Sequence, residues 1–325
     1  MAKWLVEEGI GEHRAIQLGP DGIEEARIFW PGTRLVAGEI ADAKLRERIG
    51  EGGRGRVEFP SGEQAFAAQI PRSVSIGAPV RMQVTREAIA ERGRFKLAQS
   101  RFSDAPVRPG PALAQSLVDE SHEVELIRRF PDQADWQELW LDAASQKVTF
   151  DGGSLLFAET PAMTLIDVDG SAQRAAQQKA VAALAKALRR FDLGGNIGVD
   201  FPSVQDKADR KAIDTGLAEC LDDWPHERTA MNGFGFVQIV TRLSRPSLIH
   251  RIARNRSGAA ARLLLRRAEV LEGPGKVELS AHPAVLAAIE DNWLEELTRR
   301  TGKEVSIRPD PGLALEASHA QLVTR

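Results

Sequence analysis

The sequence has few of the residues on which several classes of protein depend. Its 325 residues include one cysteine, Cys220, and no tyrosine. A single thiol excludes a disulfide framework within the chain and any zinc site built mainly from cysteines. No segment approaches the ~18 consecutive apolar residues of a membrane-spanning helix, and the first 14 residues contain no apolar signal core. We therefore expect a cytoplasmic, reduced protein with no membrane span and no zinc-linked dimer.

Acidic residues are missing from one long segment of a chain whose net charge is only −3. Between Glu227 and Glu269 the sequence has no Asp or Glu but nine arginines. Such a run is often a solvated surface, but a block of one sign also repels itself unless a polyanion neutralises it. Guanidinium groups bind phosphate through two parallel hydrogen bonds. The segment therefore predicts phosphate contacts, and the candidates are Arg242, Arg245, Arg251, Arg254 and Arg256.

The apolar periodicity predicts a mixed α/β (α+β) protein with several units. Residues 1–100 read as short strands, including those of a small barrel, and the three prolines of 103–111 mark a linker or crossover. Strands and helices alternate between residues 147 and 241, which is typical of a mostly parallel or mixed sheet covered by helices. The chain from about residue 258 reads as a small α+β unit.

Two helices of the central unit have clear sequence signals. Apolar residues at three- and four-residue spacing predict a helix from about residue 172 to 191, and Gly194-Gly195 follows its end. Ser203 is a suitable cap for the next helix, which begins near residue 204.

Acidic residues follow two apolar strands of the central unit. The stretch TLIDVDGS, residues 164–171, places Asp167 and Asp169 on one face of a strand end, because side chains two residues apart share a face. Asp200 ends the next predicted strand. If those strands are neighbours, we expect all three carboxylates to meet at one edge of the sheet. Carboxylate oxygens suit Mg²⁺, which retains water and takes one or two carboxylates together with a substrate phosphate.

Other interpretations of the acidic motifs stay open. Each Asp could simply begin a turn. The DxDG pattern also suggests a phosphatase of the haloacid-dehalogenase type with Asp167 as nucleophile and Asp169 as acid, although that motif usually lies near the start of its fold. The tripeptide DTG at 214–216 occurs in aspartic proteases, but here it lies within a helical pattern, which favours a structural role.

Four segments in order resemble the catalytic core of the bacterial ribonuclease E/G family. They are SLLFAETPAMTLIDVDGS, RRFDLGG, NIGVDF and FGFVQIVTRLSRPSL, and they span roughly residues 146–249. Motifs in the same order and at the same spacing make this resemblance more specific than any one motif alone.

The resemblance implies an endoribonuclease that cleaves single-stranded RNA with Mg²⁺ held by Asp167 and Asp200. Asp169 replaces an asparagine of the family and adds charge to the site. The resemblance also implies a ribonuclease H-like lobe (1–30 and 104–145), an inserted OB-type RNA-binding barrel (31–103), a catalytic subdomain (146–257) and a small α+β domain (258–325). Phe66 falls where the family has an aromatic residue that stacks on a base, but a place in the barrel core is equally expected.

The sequence departs from the family pattern in two missing segments and at two residues near the expected site. The segment that senses a 5′-monophosphate is missing, because RFSDAPVRPGPAL leads almost directly from the barrel to the next lobe. The zinc-linking CPxC motif is missing as well. Gly233 and Gln238 stand where the family has arginine and glutamate. These two changes favour the alternative interpretation that the protein binds RNA without cleaving it. The RNA target and the oligomeric state stay open, a homo-oligomer being possible.

Overall fold

The computed structural model describes residues 3–32, 35–91, 93–171, 173–202, 204 and 206–324. The first ten strands are β1 Trp4–Gly9, β2 Glu12–Gly19, β3 Gly22–Phe29, β4 Ile40–Ile49, β5 Arg54–Glu58, β6 Gln64–Ala68, β7 Pro79–Arg86, β8 Ile89–Glu91, β9 Arg94–Lys96 and β10 Ala98–Phe102. The remaining strands are β11 Val124–Leu126, β12 Lys147–Phe150, β13 Gly153–Glu159, β14 Thr164–Gly170, β15 Gly195–Asp200, β16 Glu227–Arg228, β17 Phe236–Thr241, β18 Lys276–Ala281, β19 Val305–Pro309 and β20 His319–Val323.

The helices are α1 Leu113–Asp119, α2 Trp136–Ser145, α3 Arg174–Arg190, α4 Lys207–Cys220, α5 Leu248–Arg254, α6 Arg256–Glu269, α7 Pro283–Leu286 and α8 Asp291–Thr301. The Asp206 side chain caps α4 by accepting from the Ala208 N–H at 2.6 Å. Ser203, which the sequence suggests for this role, lies outside the described residues.

The N-terminal sheet has the strand order β11-β1-β2-β3, and its edge strand β11 follows the barrel in the chain. Its two faces belong to different cores. Trp4, Val6 and Ala15 pack against Leu113 and Leu117 of α1. Residues of the opposite face, such as those at positions 16 and 28, join the main core with α2. Neither β2 nor α2 is predicted by the sequence pattern.

The barrel is closed by five strands in the order β10-β6-β5-β4-β7. Side chains that alternate along each strand fill its interior, among them Leu45, Val57 and Met82. The short hairpin β8–β9 lies between β7 and β10 in the chain and packs against α5. The predicted barrel in the first hundred residues is therefore confirmed as a closed five-stranded barrel.

The central sheet has six strands in the order β12-β13-β14-β15-β17-β16. Strands β14 and β15 are parallel, and β17 is antiparallel to β15, so the sheet is mixed as expected. Ile166, Val168, Ile197 and Val199 point from one face into the main core, where α3 covers them. The opposite face carries the alternate residues of the same strands.

The C-terminal segment forms the sheet β19-β18-β20 with α7 and α8. Its buried residues, including Leu279 and Trp293, belong to the same core cluster as those of the central sheet. Residues 287–290 separate α7 from α8. Within the described residues, no helix is long and apolar enough to span a membrane.

Candidate active site

Asp167 and Asp200 are direct neighbours on two parallel strands. Residue pairing across β14 and β15 sets Ile166 against Val199 and Asp167 against Asp200. Strands in a sheet lie about 4.8 Å apart, so the two carboxylates are within reach of one ion. Both residues are exposed, and neither carboxylate forms an ion pair or hydrogen bond with another described residue. The two strands are neighbours, which is the condition for their carboxylates to meet at one edge of the sheet.

Asp169 lies one step further along the same face of β14, opposite Ser154 of β13. Among the described residues, no group of three or more His, Cys, Asp or Glu side chains is arranged to hold a metal ion. Asp167 and Asp200 therefore form the pair that could hold an ion, and Asp169 lies beside them at the same edge of the sheet. Two adjacent, exposed carboxylates without a cationic partner in the described chain fit Mg²⁺, which completes its shell with water and substrate oxygens.

A rigid turn borders the acidic pair at the start of β17. Phe236 is the register partner of Asp200 on its other side. The Asn232 side chain accepts hydrogen bonds from the Phe234 N–H at 2.9 Å and the Phe236 N–H at 3.1 Å. Gly235 has φ +92°, and a Cβ there would lie 2.6 Å from the Phe201 carbonyl oxygen, so the turn requires glycine.

Phe234, at the tip of this turn, is 82% exposed. An apolar ring held in water by an ordered turn beside two carboxylates is suited to stack on a base. The sequence assigns this residue no role beyond its place in the FGFVQIVTRLSRPSL segment. In the sequence, Phe234 is recognisable only as an aromatic residue directly before a glycine. That pattern does not show whether the ring is exposed or buried.

Gln238 and Gly233 both lie near the acidic pair. Gln238 alternates with the core residues Val237 and Ile239, so it shares the open face of the sheet with Asp200. Gly233 is exposed in the turn, and a Cβ built there would meet no described atom within 4 Å. Gly233 therefore has room for an arginine, and a glutamate would have nearly the same size and shape as Gln238.

Most of the arginine segment is neutralised by acids that are distant in the sequence. Arg251 donates to Glu87 at 2.6 Å, Arg245 donates to Glu120 at 2.9 Å, and Arg254 binds Glu159. Arg256 binds Glu316. The segment therefore does not need a polyanion to neutralise its charge. The prediction of phosphate contacts assumes such a need, and that assumption is wrong.

Arg242 differs from these four arginines because it is exposed and forms no ion pair with a described residue. Arg245 lies beside three carboxylates, with 17% of its side chain exposed. Burial would lower the pKa of Arg245, but Asp192, Glu120 and Glu87 outweigh it and raise the pKa. The contact of these arginines with phosphate stays a prediction, with Arg242 the best placed.

Glu159 and His250 form a buried polar cluster between the hairpin β8–β9 and the central sheet. The His250 Nε2 atom lies 3.5 Å from a Glu159 carboxylate oxygen, and its Nδ1 atom is 2.7 Å from the Ser247 hydroxyl. Burial lowers the pKa of His250 despite the nearby Glu159. The cluster joins α5 to the end of β13. The pocket that it lines contains neither residue of the acidic pair, so the cluster is separate from the candidate site.

Phe66 is not part of the barrel core. Its ring is 46% exposed, whereas its neighbours Ala65 and Ala67 face the interior. On the neighbouring strand Gln99 is its register partner. The ring is thus available to stack on a base, which is one of the two roles expected for it.

The DTG tripeptide has a structural role, as predicted. Asp214 lies within α4 and binds Arg228 at 3.0 Å. The same carboxylate accepts from the Met231 N–H at 3.0 Å. These contacts hold the middle of α4 against β16 and the segment that leads into the Asn232 turn.

Residues 112–243, which contain Asp167, Asp200 and Phe234, match the model of the Ribonuclease E/G family. No curated protein sequence matches the chain. The family match includes the DxDG stretch and gives no support to the phosphatase interpretation. The match of this segment supports a Ribonuclease E/G family assignment.

Proposed function

We propose that the protein is a Mg²⁺-dependent endoribonuclease that cleaves single-stranded RNA. The observation that carries the proposal is the register pair Asp167–Asp200, exposed and without cationic partners among the described residues, inside the segment that matches a ribonuclease family. Two bare carboxylates side by side repel each other, and a bound divalent cation relieves that repulsion. Family membership by itself suggests a ribonuclease; the ion, the substrate and the site residues are our proposal.

The chain's own residues would hold and orient the reacting groups. Asp167 and Asp200 would each supply an oxygen ligand to Mg²⁺, and Asp169 would add negative charge at the edge of the site. When bound, the ion lowers the pKa of a coordinated water and stabilises charge on the scissile phosphate. The buried strands β14 and β15 fix the two carboxylates, so little reorganisation accompanies binding.

The remaining units would bind the RNA. We propose that the closed barrel is of the OB type, and that the sheet β11-β1-β2-β3 belongs to a ribonuclease H-like lobe. Phe66 on the barrel would stack on a base, and Phe234 would stack near the cleaved bond. Base stacking on an aromatic ring contributes about 1–3 kcal/mol and tolerates any sequence, which suits single-stranded RNA.

A second candidate function is RNA binding without cleavage. It is favoured by Gly233 and Gln238, which leave the open face beside Asp200 without the charged groups of the family. Neither residue can supply a cation or a further carboxylate to the site.

The decisive experiment incubates purified protein with a labelled single-stranded RNA, first with Mg²⁺ and then with EDTA. We expect cleavage with Mg²⁺ that EDTA abolishes. Asp167→Asn should remove cleavage but keep RNA binding and the thermal transition, because the exposed side chain has no hydrogen bond or ion pair with a described residue. Asp132→Asn is the matched control, since Asp132 is exposed on a loop and pairs with the exposed Arg129. RNA binding without cleavage by the wild type would establish the second function instead.

A further inference from the structure

A cleft of about 590 Å³ lies where the barrel, the N-terminal sheet and the central sheet meet. Its walls come from all three units: Gln83 and Arg101 from the barrel, Arg27 from β3, and Arg242 and Arg245 from the chain after β17. An arginine from the proline-rich crossover, at position 108, completes the rim. No residue of the acidic pair lines this cleft.

The cations of the cleft fall into two groups. Arg27 and Arg245 on its floor share Glu120 at 2.7 and 2.9 Å and are neutralised. Three further arginines form no ion pair with any described residue: Arg101, Arg108 and Arg242. The Arg101 guanidinium donates to the Gln83 side-chain oxygen at 3.0 Å, and that of Arg108 donates to the Gly38 carbonyl at 3.0 Å. Both partners are neutral, so the positive charges stay uncompensated.

Acids on the walls do not cancel this charge. Glu87, Glu120 and Asp192 are already close to arginines. Asp119, the remaining acid of the lining, accepts a hydrogen bond from Gln115. Three uncompensated guanidinium groups therefore face one uncompensated carboxylate, which favours a ligand with several negative charges spaced along its length.

The cleft continues the exposed surface around Phe66. Gln99 is the register partner of Phe66, and Arg101 follows two residues later on the same face of β10. Arg101 in turn pairs with Gln83 of β7, which lines the cleft. A strand of RNA stacked on Phe66 can thus run over Arg101 into the cleft without leaving the protein surface.

The cleft is separated from the acidic pair by the length of a strand. Phe236, the partner of Asp200, begins β17, and Thr241 at its other end lines the cleft. Five residues of extended chain span about 17 Å. A phosphate held in the cleft is therefore distinct from the phosphate at the acidic pair.

We propose that Arg101, Arg108 and Arg242 form a binding site for internal backbone phosphates of single-stranded RNA, which anchors the substrate away from the point of cleavage. The inference rests on the proposed function in that its ligand is the same RNA. Arginine provides this kind of contact without reading sequence, because it binds phosphate rather than bases. The anchor is independent of the RNA terminus.

The test measures RNA affinity in EDTA, where no cleavage occurs, as a function of salt concentration. The probe is a 5′-hydroxyl single-stranded RNA with a fluorophore at its 3′ end. The log–log slope changes by about 0.7 for each phosphate that the protein neutralises. Replacing Arg101, Arg108 and Arg242 together by Ala should therefore reduce the slope by about 2, if each binds one phosphate. The triple Lys variant should keep most of the slope, because its charge is unchanged.

Arg308→Ala is the control, since Arg308 is exposed on β19, outside the lining of the cleft. An unchanged slope in the triple Ala variant, with RNA bound as tightly as by the wild type, would refute the anchor and leave the ribonuclease proposal intact. Wild-type protein that neither binds nor cleaves RNA would refute both. A 5′-monophosphate that raises wild-type affinity tenfold, but not the affinity of the triple variant, would show a terminal pocket in place of a backbone anchor.

Discussion

Replacing Arg251 by Ala should destabilise the fold rather than weaken RNA binding. The Arg251 guanidinium is 7% exposed and donates to a Glu87 carboxylate that is 5% exposed, at 2.6 Å. It also lies 5.8 Å from the ring of Trp30. The variant leaves the Glu87 carboxylate buried without its main partner.

The loss of stability can be estimated from the buried Glu87 carboxylate, which the variant leaves without its arginine. Breaking a buried ion pair by removing one partner costs about 3–5 kcal/mol. Arg245 still interacts with Glu87, which favours the lower end of the range. Each kcal/mol lowers the melting temperature of a domain of 150–250 residues by about 2–4 °C, so we expect a fall of about 6 °C or more.

Thermal unfolding followed by circular dichroism measures this effect at pH 7. The double variant Arg251→Met, Glu87→Gln should recover much of the stability, because no charge is left buried. Arg242→Ala is the matched control within the same segment and should melt like the wild type. If Arg251→Ala melts within about 1 °C of the wild type but reduces the salt dependence of RNA binding, the structural role assigned to this arginine is wrong.

The exposed aromatic rings, a buried carboxyl group and the RNA end give the remaining predictions. Phe66→Ala and Phe234→Ala should each weaken RNA binding by about 1–3 kcal/mol in a titration and leave the melting temperature unchanged; normal affinity in both would refute the stacking roles. Burial raises the pKa of Asp142 to about 6, so its contribution to stability is full below pH 3.8 and is lost as the pH rises through 6. Asp142→Asn should therefore stabilise the protein at pH 8 by about 1–2 kcal/mol, allowing for solvent screening, and not at pH 3.5, as urea unfolding at both values will show. Initial cleavage rates on 5′-monophosphate and 5′-hydroxyl forms of one RNA should agree within a few-fold, and a tenfold advantage for the monophosphate would contradict the loss of the sensor segment.

The acidic pair is predictable because its signal is local. Two apolar strands that each end in Asp and are separated by one helix favour neighbouring parallel strands. Alternation along β14 then places Asp167 and Asp169 on one face. The pairing of Asp167 with Asp200 depends on the sheet register, which sequence alone does not determine. The sequence therefore cannot show which of Asp167 and Asp169 lies opposite Asp200.

The partners of the arginine segment are not predictable in the same way. Arg251 meets Glu87 across 164 residues of sequence, and Arg254 meets Glu159 across 95. No local pattern relates such positions, since only the folded chain packs α5 against β8 and places it beside the end of β13. The same limit applies to the cleft, whose three uncompensated arginines come from separate parts of the chain.

Two elements that the sequence pattern does not predict have identifiable causes. Helix α2 carries an Asp135 cap and Glu138 in its first turn, and Trp136, Leu139 and Trp140 are buried in the main core. The capping residues are a usable signal, but a weak one without a long apolar period behind them. Strand β2 is buried on both faces, so it lacks the alternation of polar and apolar residues by which strands are recognised.

The central claim is that Asp167 and Asp200 act together on one ion, and a double-mutant comparison of cleavage rates tests it most directly. Rates are measured at saturating Mg²⁺ for Asp167→Asn, for Asp200→Asn and for the double variant. If both carboxylates hold the same ion, either single change disables the site, and the double variant is no slower than the slower single variant. Rate losses that multiply in the double variant, or a wild-type rate in either single variant, would contradict a shared ion.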